Sequence, residues 1–218
     1  MNAWIPVKRS TGRSPDHASD QENGALGYEI VVVGTSWGGL AALRAIVAAL
    51  PAGYTLPIAI VQHRHRDSDG LAKFLQSHTA LNVCEVEDKQ PIEGGKIFVA
   101  PANYHMLVER GHLALSVDAP VRFSRPSIDV ALTSAAHAYG HRAVGVVLTG
   151  SNADGAEGLR IIADAGGMAV IQTPDTAEAP TMPQAAARAV PTARVFPLAR
   201  IASFLATLPS VYDTERAS

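Results

Sequence analysis

Three residues of this chain have the types needed for nucleophilic acyl transfer: a serine, a histidine and an aspartate. Each stands at the end of a stretch that reads as a β-strand. Ser36 lies in Gly34-Thr35-Ser36-Trp37-Gly38-Gly39, directly behind the apolar run Ile30-Val31-Val32-Val33 and ahead of a helical stretch from Leu40 to Leu50. A strand, a tight glycine turn and a helix lift the middle residue onto the crest of a parallel sheet, beside free backbone N–H groups at a helix N-terminus. A serine hydroxyl placed there has oxyanion donors next to it, the N–H groups of Trp37 and Gly38, and lacks only a base. His63 closes the second strand. Asp154 sits in Thr149-Gly150-Ser151-Asn152-Ala153-Asp154-Gly155, behind the strand that ends at Leu148, with Ser151 as a further candidate for the cleft. In open α/β sheets chemistry gathers at the carboxyl ends of strands. If these three strands are neighbours where the strand order reverses, a nucleophile, a base and an orienting carboxylate converge. The chain order Ser, His, Asp differs from that of α/β-hydrolases and of both familiar serine protease classes.

Each candidate has a plainer reading. A dinucleotide turn needs glycine where Ser36 stands and an acidic residue near the end of the second strand, which here ends in Gln62-His63. Ser36 can instead be a helix cap, His63 a strand-end histidine satisfied by a carbonyl, and Asp154 a turn or capping residue. Metal is the rival use of the histidines: His63-x-His65 puts two imidazoles on one strand face, and His137 and His141 are helix-spaced around Gly140. No carboxylate or cysteine cluster joins them at ligand spacing, so neither a metal nor a cofactor is expected. Arg64-His65-Arg66 reads as a solvated loop or as a contact for an anionic substrate.

The elements that must hold these residues follow from the apolar pattern. Strands are expected at 29–33, 58–63, 83–86, 96–100, 143–149 and 168–172, and helices at 38–50, 69–77, 127–139, 155–165, 183–189 and 198–208. Continuous apolar runs such as Val144-Gly145-Val146-Val147-Leu148 suit strands covered on both faces. The stretch 106–117, two β-like runs around Arg110-Gly111-His112, predicts an antiparallel hairpin appended to the sheet. The expected fold is a doubly wound α/β domain, a mainly parallel sheet flanked by helices with that hairpin attached.

With 218 residues, 47% of them hydrophobic and 17% charged, the chain can bury the core of one large domain, placed at 28–208. A polar stretch at 1–27 reads as a disordered leader and 209–218 as a tail. The formal charge of −2 gives no electrostatic reason to expect nucleic acid or an anionic membrane as partner. A lone cysteine, Cys84, excludes an intramolecular disulfide and fits a reducing compartment. No apolar signal core and no run long enough to span a bilayer is found, so a cytoplasmic protein is expected.

Five spaced motifs together resemble a known family. They are Gly34-Thr35-Ser36-Trp37-Gly38-Gly39, Gln62-His63, Ala100-Pro101-x-x-x-His105, Arg125-Pro126-Ser127-x-Asp129 and Leu148-Thr149-Gly150-x-x-x-Asp154-Gly155. In this order, from about Tyr28 to Leu208, they are similar to the catalytic domain of CheB-type chemotaxis protein-glutamate methylesterases. The resemblance implies hydrolysis of glutamate methyl esters on the cytoplasmic signalling helices of chemoreceptors, in some members deamidation of receptor glutamines, and a parallel sheet with an antiparallel hairpin. It implies Ser36 as nucleophile, His63 as general base and Asp154 as its partner.

The chain departs from the family pattern at the site. Trp37 stands where members have threonine, Arg64-His65 where they have Met-Pro, and Ser151-Asn152 where they have Met-Gly. A receiver domain, usual ahead of the esterase in this family, needs on the order of a hundred residues. Fewer than thirty precede the first expected strand, so no receiver in cis is expected. The alternative from another class is a catalytically silent module of the same fold that docks on a helical signalling partner, with Trp37 filling the cleft.

Overall fold

The computed structural model describes residues 27–65 and 67–213, so the leader, apart from Gly27, lies outside the described residues. In chain order the elements are β1 (Ile30–Thr35), α1 (Gly39–Ala49), β2 (Ile58–Gln62), α2 (Leu71–Gln76), β3 (Asn82–Glu85), β4 (Gln90–Pro91), β5 (Lys96–Val99), β6 (His105–Glu109), β7 (His112–Ser116), α3 (Ile128–Tyr139), β8 (Ala143–Val147), α4 (Ala156–Asp164), β9 (Met168–Gln172), α5 (Thr181–Ala189), β10 (Arg194–Phe196) and α6 (Leu198–Leu205). Seven strands form one parallel sheet in the order β10-β9-β8-β1-β2-β5-β3. The chain leaves β1 toward β2 and later returns to lay β8 on the other side of β1, so the strand order reverses there and β8, β1 and β2 lie side by side.

Side chains alternate across a strand, and β1 shows what this does in a covered sheet. Ile30 and Val32 pack into a core with Ile128 and Leu132 of α3, Leu159 of α4 and Met182 of α5. Val31 and Val33 pack into a second core with Leu43 and Ile46 of α1, Leu75 of α2 and Ile201 of α6. Each such side chain, fully removed from water, contributes roughly 1.5–3 kcal/mol. The apolar runs are thus long because both faces are occupied.

The expected hairpin forms as β6 and β7, and β7 also pairs with β4 to make a separate three-stranded antiparallel sheet. It is joined to α3 through bonds from the Val108 N–H to Ser134 Oγ (2.9 Å) and from the Gly111 N–H to Tyr139 Oη (2.9 Å). The short strands β4 and β10 were not expected, since two or three residues show no alternation to read. Within the tail the described residues end in a 3-10 turn at Val211–Asp213. The Tyr28 N–H donates to Pro209 O (2.7 Å) and the Val211 N–H to Tyr28 O (3.1 Å). Among the described residues no helix is long and apolar enough to cross a membrane.

Candidate active site

Ser36 follows β1 directly, in a turn closed by a Gly39 N–H bond to Ser36 O at 2.9 Å. The turn needs its glycines. Gly38 is left-handed, with φ of 76°, and a Cβ there would meet the Glu178 side chain at 2.7 Å; a Cβ on Gly39 would meet the Thr35 side chain at 2.7 Å. Thr149, just beyond β8, ties the turn down. Its carbonyl accepts from the Ser36 N–H (2.9 Å) and from Thr35 Oγ1 (2.8 Å), and its hydroxyl donates to Trp37 O (2.9 Å). The Trp37 and Gly38 N–H groups have no acceptor among the described residues, and neither does the Ser36 hydroxyl. Two backbone donors and one hydroxyl of cavity-lining residues are therefore uncommitted.

His63 comes next to this turn because its N–H bonds to Thr35 O (3.0 Å) where β2 leaves the sheet. Its Nε2 lies 2.7 Å from Asp154 Oδ2. The other ring nitrogen, Nδ1, faces the Ser124 hydroxyl at 3.5 Å. Ser36 and His63 line one cavity of about 470 Å3 together with Trp37, Gln62, Ser151 and Glu178. Trp37 is 67% exposed and stands at its mouth.

Asp154 is fully buried and collects donors from another element. Besides His63 it accepts from the Ile128 N–H (2.7 Å), the Asp129 N–H (3.0 Å) and Ser127 Oγ (3.0 Å). These donors belong to the N-terminus of α3, where unpaired N–H groups favour an anion. Burial opposes its ionisation, but the hydrogen bond from His63, the Ile128 and Asp129 N–H groups and the His63 charge outweigh it and hold the carboxyl below its ordinary value.

Asp129 returns the arrangement. From the first turn of α3 its Oδ1 accepts the Gly155 N–H (2.9 Å) and the Gly158 N–H (2.8 Å) at the start of α4. Each helix start is thus capped by an aspartate from the other segment. Burial pushes the Asp129 carboxyl up; the Gly158 N–H acts against this and the Asp154 charge adds to it. Of two adjacent buried carboxyls, the one that meets His63 is pulled below its ordinary value and the other pushed above it.

Ser36, His63 and Asp154 thus lie beyond the carboxyl ends of three adjacent strands, and Trp37, Gly38 and Ser151 line the cleft beside Ser36 and His63. Asp154 also caps the start of α3, and at its own helix it accepts the Gly155 N–H (3.1 Å). Residues missed as structural partners are Ser127, Asp129 and Ser124; a serine ahead of an apolar helix was a visible cap signal for the first. The metal reading finds no support: among the described residues no three His, Cys, Asp or Glu side chains gather to hold an ion, and His65, His137 and His141 are exposed. Arg64 corrects the solvated-loop reading. Its side chain is 6% exposed and donates through Nη2 to Glu85 Oε2 (2.9 Å) and Ala100 O (2.7 Å).

Residues 31–205 match the family model described as CheB methylesterase. A protein of Leptospira interrogans named putative protein-glutamate methylesterase/protein-glutamine glutaminase is 41% identical over 185 residues, 84% of this chain and 96% of that one. The protein-glutamate methylesterase FrzG of Myxococcus xanthus is 34% identical over 201 residues, 91% of this chain and 60% of that one. The crystal structure of the Thermotoga maritima CheB methylesterase catalytic domain superposes with a TM-score of 0.78 at 29% identity, covering 82% of this chain and 97% of that one.

Proposed function

The chain belongs to the CheB methylesterase family, and from that premise we propose that it is a cytoplasmic serine hydrolase that removes methyl esters from glutamate side chains on chemoreceptor signalling helices. Ser36 is the nucleophile, His63 the general base and Asp154 its partner. The observation that carries this reading is the 2.7 Å bond between His63 Nε2 and the buried Asp154 carboxylate, beside the cavity that Ser36 lines.

Because Nε2 is committed to Asp154, the base nitrogen is Nδ1, the reverse of the serine proteases, where the carboxylate holds Nδ1. The uncommitted Ser36 hydroxyl turns to Nδ1 when an ester enters; such bonds commonly tighten only in the substrate complex. Ser36 Oγ then bonds to the ester carbonyl carbon as its proton passes to Nδ1. The N–H groups of Trp37 and Gly38 hold the oxyanion. The adduct collapses, the bond to the methoxy oxygen breaks, and the proton on Nδ1 leaves with that oxygen as methanol. Water gives a proton to Nδ1, attacks the acyl-enzyme and releases a glutamic acid, restoring the serine. Asp154, kept ionised, stabilises the imidazolium at both stages. A glutamine carboxamide follows the same route with ammonia leaving, the second activity in the name of the Leptospira protein. The chemistry calls for no cofactor.

The test is methanol release from methylated receptor cytoplasmic fragments. The wild-type protein releases methanol and Ser36→Ala does not. A wild-type protein that binds the fragments without releasing methanol would make it the silent docking module instead.

A further inference from the structure

A second cavity, about 500 Å3, also has His63 in its wall and is lined by Arg64, His65, Asn103, Phe123, Ser124 and Arg125 among others. Among the described residues no Asp or Glu lines it, whereas Glu178 lines the cavity of Ser36. Among the described residues its two arginines meet a single carboxylate between them, Glu85 on Arg64. Arg125 donates to Asn103 Oδ1 through Nε and Nη2 (3.2 and 2.7 Å), and through Nη1 to Val117 O (2.8 Å) and Asp118 O (3.0 Å), all uncharged acceptors. Arg64 shares Nη2 between Glu85 and a carbonyl, and leaves Nε and Nη1 buried without an acceptor. A carboxylate seated in the cavity is attracted by both guanidinium charges. Phe123, wholly exposed at the tip of the 121–124 turn in a left-handed conformation with φ of 65°, forms an apolar wall on the open side.

We propose that this cavity is a substrate subsite for a carboxylate that stands about one helical turn from the ester on the same peptide. The inference rests on the methylesterase reading. The two cavities share His63, and side chains three or four positions apart on a helix project about 5–6 Å from one another, so neighbouring groups of one helix enter both. Arg64 and Arg125 hold the carboxylate while the ester lies over Ser36. With Arg64 where the family pattern has methionine, this chain selects esters in an acidic context.

Two synthetic helical peptides test it, each with a single glutamate γ-methyl ester and differing only in Glu or Gln one turn away. At low salt kcat/KM is about tenfold higher for the Glu peptide, the scale of one charge-assisted hydrogen bond, and the ratio shrinks as salt is added. Arg64→Met and Arg125→Gln each bring the ratio toward one. Equal wild-type rates overturn the subsite while leaving the methylesterase reading intact; hydrolysis of neither peptide overturns both. A ratio unchanged in both variants removes the arginines from it. If free acetate lowers both rates equally and the peptides do not differ, the cavity takes a solution anion and the proposal fails.

Discussion

The two ends of the parallel sheet are built on different principles. Among the described residues, Thr35, His105, Ser127, Asp129, Thr149, Asp154 and Gln172 are buried polar or charged groups at the carboxyl end and the elements packed against it, while Ser210 sits at the other end. They form two bonded sets, Thr35 with Thr149 and Gln172, and His105 with Ser127, Asp154 and Asp129, linked through His63. The Thr149 N–H donates to Gln172 Oε1 (2.9 Å), whose amide donates to Thr176 O (2.8 Å), and the Ser127 N–H donates to His105 Nδ1 (3.2 Å). At the amino end a cavity of about 470 Å3 is lined by Tyr54, Thr55, Asn82, Gly94 and Tyr212, among others, and the buried Tyr54 hydroxyl has no acceptor. Burial alone pushes that phenol above its ordinary range. One end carries interdependent buried polar groups whose loss leaves partners stranded; at the other the Tyr54 hydroxyl bonds to nothing, while polar bonds such as that from Thr55 Oγ1 to Asp213 Oδ1 (2.6 Å) lie at the surface.

The largest expected effect separates chemistry from wiring at the working end. Ser36→Ala lowers kcat by about 10⁴-fold or more, the scale of losing a triad nucleophile, with a melting temperature within about 2 °C of wild type, because the hydroxyl has no structural partner. A large drop in melting temperature would mean that the hydroxyl belongs to the network after all.

Asp154→Asn combines both losses. Placing an amide N–H against His63 and the Ile128 N–H costs about 10³–10⁴-fold in kcat and about 3 kcal/mol of stability, measured by denaturant unfolding. The acid limb tests the cause. A carboxyl depressed in the fold contributes stability above its unfolded value, near pH 4, and that stability is lost as pH falls through the lower folded value. The gap between wild type and Asp154→Asn therefore narrows below about pH 4. Asp129 has the opposite sign: raised in the fold, its contribution is present at low pH and lost as pH rises through the raised value. A gap constant from pH 2 to 7 would refute the assignment for Asp154.

Trp37 is the working end's side chain outside the network. Trp37→Thr raises kcat/KM for a methylated receptor helix several-fold, and for a small ester such as p-nitrophenyl acetate less, since only the bulky substrate meets the indole. Equal effects on the two, or a loss on the receptor alone, would make the indole a binding surface. At the amino end Tyr54→Phe changes stability by less than about 0.5 kcal/mol and leaves kcat unaltered, because it removes a hydroxyl that bonds to nothing. A loss of 2 kcal/mol there would erase the contrast between the two ends.

The sequence made the contrast only partly readable. Ser36, His63 and Asp154 were visible because strand ends are marked by a glycine turn, by the last residue of an apolar run and by a glycine-flanked loop, all local signals. The order of β8, β1 and β2 then followed from one assumption about the switch point. What stayed hidden is non-local. The exchange of Asp129 and Asp154 between the starts of α3 and α4 joins residues 25 apart and depends on how two helices pack. The burial of Arg64 likewise depends on β3 and β5 arriving beside it, and its own stretch reads as a charged loop.

Thr149 places a constraint on the order of biosynthesis. The turn that presents Ser36 is made early in the chain, yet it is tied to a carbonyl and a hydroxyl 114 and 112 residues later, and that hydroxyl in turn accepts the Ala179 N–H at 2.9 Å. The contacts are local in space and distant in sequence, so they form only after the strand before Thr149 has crossed back over the sheet. A nascent chain therefore carries an unset Ser36 turn until Ala179 has emerged, and the turn is fixed with the later helices rather than the first.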